Sequence, residues 1–165
     1  MSDRISIDAE AFAASGQTLQ GKVSLQDLDA RSHSPDIADL AAEVSYSLAA
    51  GRDDWDRIRL SLHLAGSLKL CCQRCLQPFD FELDETAQVV LFADEEALDQ
   101  AVQDDDTLEG MVCGRELDVY SLLEDQILMA LPFSPKHENC GSGETAVQSD
   151  KPNPFAALAG LKKPD

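Results

Sequence analysis

The sequence predicts an α+β domain in which antiparallel hairpins form a mainly β-sheet or a small open barrel, with one long helix packed on it. Three patterns carry this prediction. Residues 40–48 and 58–64 alternate apolar and polar side chains, as half-buried strands do. Turn residues separate these two runs. Residues 118–131 repeat their apolar side chains with helical spacing, and a proline follows them.

The first elements follow in chain order. Residues 8–14 predict a short helix, and Gly16 stands where a C-cap glycine would. Residues 21–28 (GKVSLQDL) predict a first strand. The two alternating runs then predict an antiparallel hairpin with one solvated face.

A second hairpin is predicted around the cysteines at 71, 72 and 75. Leu68 and Leu70 lead into this cluster, and Phe79, Phe81 and Leu83 resume the alternation after it. The cysteines are therefore expected at a hairpin tip. Residues 94–114 are acidic and poorly patterned, so they predict either a loop with a short helix at 95–102 or a mobile excursion.

The long helix is predicted at residues 118–131. Either Asp118 or Ser121 can cap its first turn, and Ser121 with Glu124 fits a capping box. Its apolar stripe is expected to pack in the core.

The chain divides into a domain at residues 1–140 and, at 141–165, a linker with a short apolar C-terminal motif. In this motif Phe155, Leu158 and Leu161 share one face of a predicted helix. An apolar motif on a polar tether is typical of a groove-binding peptide. The alternatives are that the motif docks on its own domain or that it contributes little.

The cysteines are expected to bind metal. Cys72 and Cys75 form a C-x2-C pair, which at a hairpin tip presents two thiolates to one zinc ion. His137 and Cys140 stand at H-x2-C spacing after the helix and complete a Cys3His set. One structural zinc is therefore predicted, since four protein ligands leave no open position for a substrate. Inert thiols, or a redox pair of Cys72 and Cys75, are the alternatives.

The composition limits the other functions. The net charge of −18 opposes nonspecific binding to nucleic acid and favours basic partners. The first residues have no apolar leader segment, and no run is long enough to span a membrane, so we expect a cytoplasmic protein with no membrane partner. No phosphate loop, nucleophile elbow or other catalytic motif stands in the sequence, so neither an enzyme nor a small-molecule substrate is expected.

Three motifs together resemble the YceD family, a bacterial family named for large ribosomal RNA subunit accumulation. They are CQRCLQPF, LDVYSLLEDQILMALPFSPKHENC and DKPNPFAALAGLKK. The resemblance implies that Cys72, Arg74 and Cys75 are hallmarks of the family. It implies the same for Glu124 on the helix and for the end of the second motif, namely Pro135, His137 and Cys140.

The resemblance also implies a cytoplasmic, non-enzymatic role in the synthesis, processing or stability of 23S ribosomal RNA. Because the chain is acidic, we expect it to act on RNA indirectly, by binding a basic ribosomal protein or an assembly factor. The expected contacts are Arg74 and the apolar residues Phe155, Leu158 and Leu161. A direct RNA-binding zinc protein and a thiol-disulfide oxidoreductase using Cys72 and Cys75 are the alternative functions.

Overall fold

The computed structural model describes residues 4–30, 33–138 and 140. Within them the strands are β1 (Ser6–Asp8), β2 (Thr18–Ser24), β3 (Glu43–Arg52), β4 (Ile58–Cys71), β5 (Pro78–Phe92), β6 (Gly110–Val112) and β7 (Glu116–Asp118). The α-helices are α1 (Ala9–Ser15), α2 (Glu95–Asp104) and α3 (Val119–Ala130). The predicted linker and C-terminal motif lie outside the described residues.

The strands form two sheets. The larger one has five strands in the order β2-β3-β4-β5-β6, and the smaller one pairs β1 with β7. All pairs are antiparallel except that of β5 with β6, which is parallel. The α+β class is therefore confirmed. In the part of the chain that the structure describes, the edge strands β2 and β6 do not pair with each other, so the large sheet is open.

Both predicted hairpins are present. Tyr46 lies opposite Leu64 and Leu48 opposite Leu62, and all four side chains are buried, as the alternation predicted. Strands β4 and β5 are longer than the runs that predicted them, with 14 and 15 residues. Their pairing continues to Cys71 and Pro78, so residues 72–77 form the hairpin tip.

The helices match their predicted positions closely. Asp8 caps α1 by accepting a hydrogen bond from the Ala11 N–H, and Gly16 ends the helix with a φ of 61°. The short helix at 95–102 is present as α2, which runs two residues further. The predicted first strand begins earlier than residue 21 and ends at Ser24, where a short 3₁₀ turn follows.

At the start of helix α3, one of the two predicted capping residues is confirmed. Asp118 is the N-cap, and its side chain accepts a hydrogen bond from the Ser121 N–H. The predicted capping box of Ser121 and Glu124 is wrong, because Ser121 lies inside the helix and Asp118 is its N-cap. Residue Glu124 is 1% exposed, and its carboxylate accepts hydrogen bonds from the Asp29 N–H at 2.8 Å and from Arg4 at 3.2 Å.

One hydrophobic core joins the large sheet to the helices. The buried apolar face of α3 consists of Val119, Leu122, Leu123 and Ile127. These side chains belong to the same cluster as the buried leucines of β3 and β4. Burying a leucine of this kind contributes about 1.5–3 kcal/mol, so the core holds α3 on the sheet and fixes the position of the residues that follow the helix.

Candidate metal centre

The hairpin tip between β4 and β5 is a tight turn built from backbone hydrogen bonds. The Cys72 N–H donates to the Gln77 carbonyl at 2.9 Å, and the Leu76 N–H donates to the Cys72 carbonyl at 2.8 Å. Leu76 has a φ of 62°, a left-handed conformation that costs a non-glycine residue on the order of 1–3 kcal/mol. The turn therefore tolerates local strain while it brings the two cysteines toward one point.

The other two residues arrive from the segment after α3. The Cys140 N–H donates to the His137 carbonyl at 3.2 Å, which forms a second short turn. Two further bonds tie this segment to the hairpin tip. The Gln73 N–H donates to the Pro135 carbonyl at 2.9 Å, and the Arg74 guanidinium donates to the Cys140 carbonyl at 2.6 Å.

The structure brings together the four residues that the spacing singled out. One ligand atom from each of Cys72, Cys75, His137 and Cys140 lies within 4.8 Å of all the others. The Cys72 and Cys140 sulfurs are 3.3 Å apart. The Cys75 sulfur is 3.9 Å from Nε2 and 4.0 Å from Nδ1 of His137. Zinc–sulfur bonds of about 2.3 Å in a tetrahedron place two sulfurs about 3.8 Å apart, so these four atoms could hold a metal ion.

Hydrogen bonds to the cysteine sulfurs polarise the site. Burial raises the pKa of the Cys72 thiol, but the backbone N–H groups of Cys75, Arg74 and His137 and the Cys140 thiol outweigh it and lower the pKa to about 5. Burial, together with the sulfurs of Cys72 and Cys75, raises the pKa of Cys140 to about 12. The pair therefore holds one negative charge readily and resists a second in the absence of a cation.

The remaining cysteines and histidines lie elsewhere. Cys113 is half-buried, and its thiol lies 3.6 Å from the Glu116 carbonyl. Burial raises the pKa of Cys113. His63 binds Asp84 at 2.8 Å. The His33 ring lies 3.0 Å from the Leu25 carbonyl.

Arg74 and Phe79 surround the candidate centre. The Arg74 guanidinium donates its hydrogen bond to the Cys140 carbonyl. Phe79 lies against His137 with ring centroids 5.7 Å apart. Sequence reasoning missed this contact, because it joins β5 to a segment almost 60 positions later. Phe155, Leu158 and Leu161 lie outside the described residues.

The fold and this site define an α+β protein in which a Cys3His cluster connects a hairpin tip to the chain that follows a core helix. A family model described as "Large ribosomal RNA subunit accumulation protein YceD" matches residues 60–162. This segment contains β4 from residue 60 onward, β5, α3 and all four residues of the cluster. The chain belongs to the YceD family, as the three motifs predicted.

A relative with the same name is known from Haemophilus influenzae. It is 31% identical to this chain over 105 residues, which cover 56% of this chain and 58% of the relative. The chain thus matches little more than half the length of that relative. No solved structure matches the chain.

Among the described residues no helix has the length and apolar character needed to cross a membrane.

Proposed function

We propose that this chain supports the accumulation of large-subunit ribosomal RNA through its synthesis, processing or stability. It acts in the cytoplasm as a ribosome biogenesis factor, and it acts by binding and not by catalysis. Two findings support this proposal. The family model covers residues 60–162, and the Haemophilus influenzae relative carries the accumulation name.

The single structural observation that carries the mechanism is the four-residue cluster. Cys72, Cys75, His137 and Cys140 hold one structural zinc ion in this proposal. Bound zinc would supply a cross-link and no reaction, because four protein ligands close its coordination sphere. The fold is consistent with such a role, since the cluster joins two segments that are 62–68 positions apart in the chain.

The partner in this proposal is a basic ribosomal protein or an assembly factor. The net charge of −18 attracts cationic surfaces and repels the phosphate backbone. The chain has 31 acidic and 13 basic residues, and the acidic ones are dense in α2 and in the turn after it. Arg74, Phe155, Leu158 and Leu161 are the proposed contact residues, and the last three stand on the 141–165 segment.

The two alternative functions make different predictions. Direct RNA binding would use Arg74, whose side chain stands on the exposed hairpin tip. Part of its hydrogen-bonding capacity is already used by the Cys140 carbonyl. A thiol oxidoreductase would use Cys72 and Cys75, but redox C-x-x-C pairs act at a helix N-terminus, and this pair lies in a turn between two strands.

The test of function replaces the cellular copy with variants and measures the ratio of 23S to 16S ribosomal RNA. Cys75→Ser removes one ligand, and Cys113→Ser is the matched control, since it removes a half-buried thiol outside the cluster. We expect Cys75→Ser to lose the zinc and to lower the ratio, while Cys113→Ser retains both. A normal ratio with Cys75→Ser at full expression would contradict the role of the cluster, and a normal ratio after depletion of the whole protein would contradict the function.

The test of the partner is affinity capture of the tagged protein from growing cells at two salt concentrations, with and without nuclease. We expect a basic protein that stays bound after nuclease treatment. Precursor 23S RNA that persists after other proteins are removed, and that is lost with Arg74→Ala, would support direct RNA binding instead. Disulfide-reductase turnover that Cys72→Ser abolishes would support the oxidoreductase.

A further inference from the structure

An apolar groove runs along the outer side of α3, between this helix and strands β5 and β6. Two adjoining hollows of about 480 and 200 Å³ form it, and they share Glu109, Gln126 and Met129 in their walls. Met129 is 67% exposed, and Met111 and Leu128 are half-buried. Methionine walls of this kind adapt to apolar partners because the side chain is flexible and polarisable.

The charges around the groove have one sign. The charged side chains that line it are Glu85, Glu109 and Asp125, and all three are acidic. A second cleft, of about 540 Å³, differs in this respect, because it is lined by both arginines and aspartates. The groove beside α3 therefore suits an apolar segment that carries lysine or arginine. The second cleft has charges of both signs and favours neither a basic nor an acidic segment.

A segment of this chain has both properties. Phe155, Leu158 and Leu161 share one face of the helix that the sequence predicts, and Lys162 and Lys163 follow directly. On a helix, the three apolar residues span about 9 Å. The groove extends along α3 from Leu122 to Met129, which is about 10 Å on the same scale, so the lengths match.

We propose that residues 155–163 occupy this groove in the free protein and that a partner must displace them in order to bind the groove or the segment. Residues 141–154 connect the segment to Cys140. This tether can extend to about 45 Å, whereas a domain of this size is about 37 Å across. The length of the tether therefore permits the contact.

The tether also strengthens a weak contact. A flexible linker of this length places its end at an effective concentration in the millimolar range. A segment that binds the groove with a dissociation constant of about 0.1 mM would then occupy it in about nine of ten molecules. A competing partner would bind about tenfold more weakly than it binds a chain whose segment cannot dock. This inference concerns the free chain and holds whatever the partner is.

The chain provides a direct probe, because two of its three methionines line the groove. In full-length protein with ¹³C-labelled methionine methyl groups, Met111 and Met129 report on the groove, and Met1 serves as a reference. The test variant changes Phe155, Leu158 and Leu161 to serine, and it leaves the described residues untouched. We expect the Met111 and Met129 signals to shift in this variant, while the Met1 signal stays in place.

A synthetic peptide of residues 150–165, added to the serine variant, should return both signals toward their wild-type positions. A peptide of the same composition with its three large apolar residues moved out of register should not. Identical groove signals in wild type and variant, together with no response to millimolar peptide, would overturn the proposal. Signals that change with protein dilution would also overturn it, because the segment would then occupy the groove of a second copy.

A charge exchange tests the orientation of the segment without removing its apolar face. Glu109 has an exposed side chain, so Glu109→Lys is compatible with folding. We expect this variant to show the shifted groove signals in at least part of its population. Adding Lys162→Glu and Lys163→Glu should restore the wild-type positions. If the triple variant shifts the signals further, the lysines do not face Glu109 and the proposed orientation is wrong.

Discussion

The buried carboxylate of Glu124 gives the sharpest test of how this fold is held together. The carboxylate accepts a hydrogen bond from the Asp29 N–H at 2.8 Å. It also forms an ion pair with the Arg4 guanidinium at 3.2 Å. The two partners differ in exposure, since the Arg4 side chain is 54% exposed and the Glu124 side chain is 2% exposed. Removing the carboxylate therefore breaks a buried hydrogen bond to Asp29 and a half-solvated ion pair with Arg4, and the two losses differ in free energy.

The expected cost of each change follows from this difference. Glu124→Leu removes the acceptor of a charged, buried hydrogen bond, which is worth about 1.5–3 kcal/mol. The ion pair adds only about 0–1 kcal/mol, because water already solvates half of Arg4. Glu124→Gln keeps an oxygen acceptor for Asp29 and should cost less than Glu124→Leu. Arg4→Ala should cost about 0–1 kcal/mol, although Arg4 also binds Asp118 at 3.3 Å.

Urea unfolding of the three variants, followed by far-ultraviolet circular dichroism, measures these costs. Tryptophan fluorescence is a poorer probe, because Trp55 is 72% exposed in the folded protein. We expect the order Glu124→Leu, then Glu124→Gln, then Arg4→Ala in loss of stability. If Arg4→Ala destabilises the protein as much as Glu124→Leu, the ion pair and not the Asp29 bond holds the carboxylate. A neutral Glu124→Leu would refute the reasoning entirely.

Three further predictions concern backbone packing, pH and the candidate metal centre. Gly66→Ala should lower the free energy of unfolding by about 1–3 kcal/mol, measured in urea, since a Cβ there would lie 2.9 Å from a β3 carbonyl oxygen. Gly51→Ala is the control. A Cβ at that position meets nothing within 4 Å, so the change should be near neutral. The Ala11 N–H and then Arg115 lower the pKa of Asp8 below its ordinary 3.8. Its contribution to stability is therefore complete above that value, and the difference between wild type and Asp8→Asn should shrink as the pH falls through the lowered pKa. Arg74→Ala loses the bond to the Cys140 carbonyl and should release zinc to a chelator faster, with the zinc content of untreated protein unchanged.

The sequence predicted the hairpins well because their signal is local. Residues 58–64 alternate strictly, and the strand that contains them buries Leu60, Leu62 and Leu64. Strands β1, β6 and β7 were not predicted, since each has three residues, too few to show a period. Their formation depends on distant pairing, such as that of Ile7 with Leu117. Such contacts leave no trace in the local pattern.

For the candidate centre, too, the sequence predicted the local part and not the long-range contacts. The two short spacings identified Cys72 with Cys75 and His137 with Cys140, because each pair lies within one turn of chain. The sequence could not show that the two pairs meet. The structure shows the contacts that bring them together. The Gln73–Pro135 bond and the Arg74–Cys140 bond use backbone carbonyls, which every residue has. No sequence pattern distinguishes the two carbonyls that are used.

Helix α3 connects the candidate metal centre to the proposed groove. Asp118 caps its first turn, the Glu124 contacts hold its second turn, and the segment after its last turn carries His137 and Cys140. Its outer side, with Gln126 and Met129, forms a wall of the groove. Because the zinc in our proposal fixes the chain just beyond Ala130, its removal should loosen the end of the helix first and its beginning last. Amide exchange should then rise near Met129 before it rises near Leu122 when a chelator is added. Equal exchange along α3 would mean that the core alone holds the helix and that metal and groove are independent.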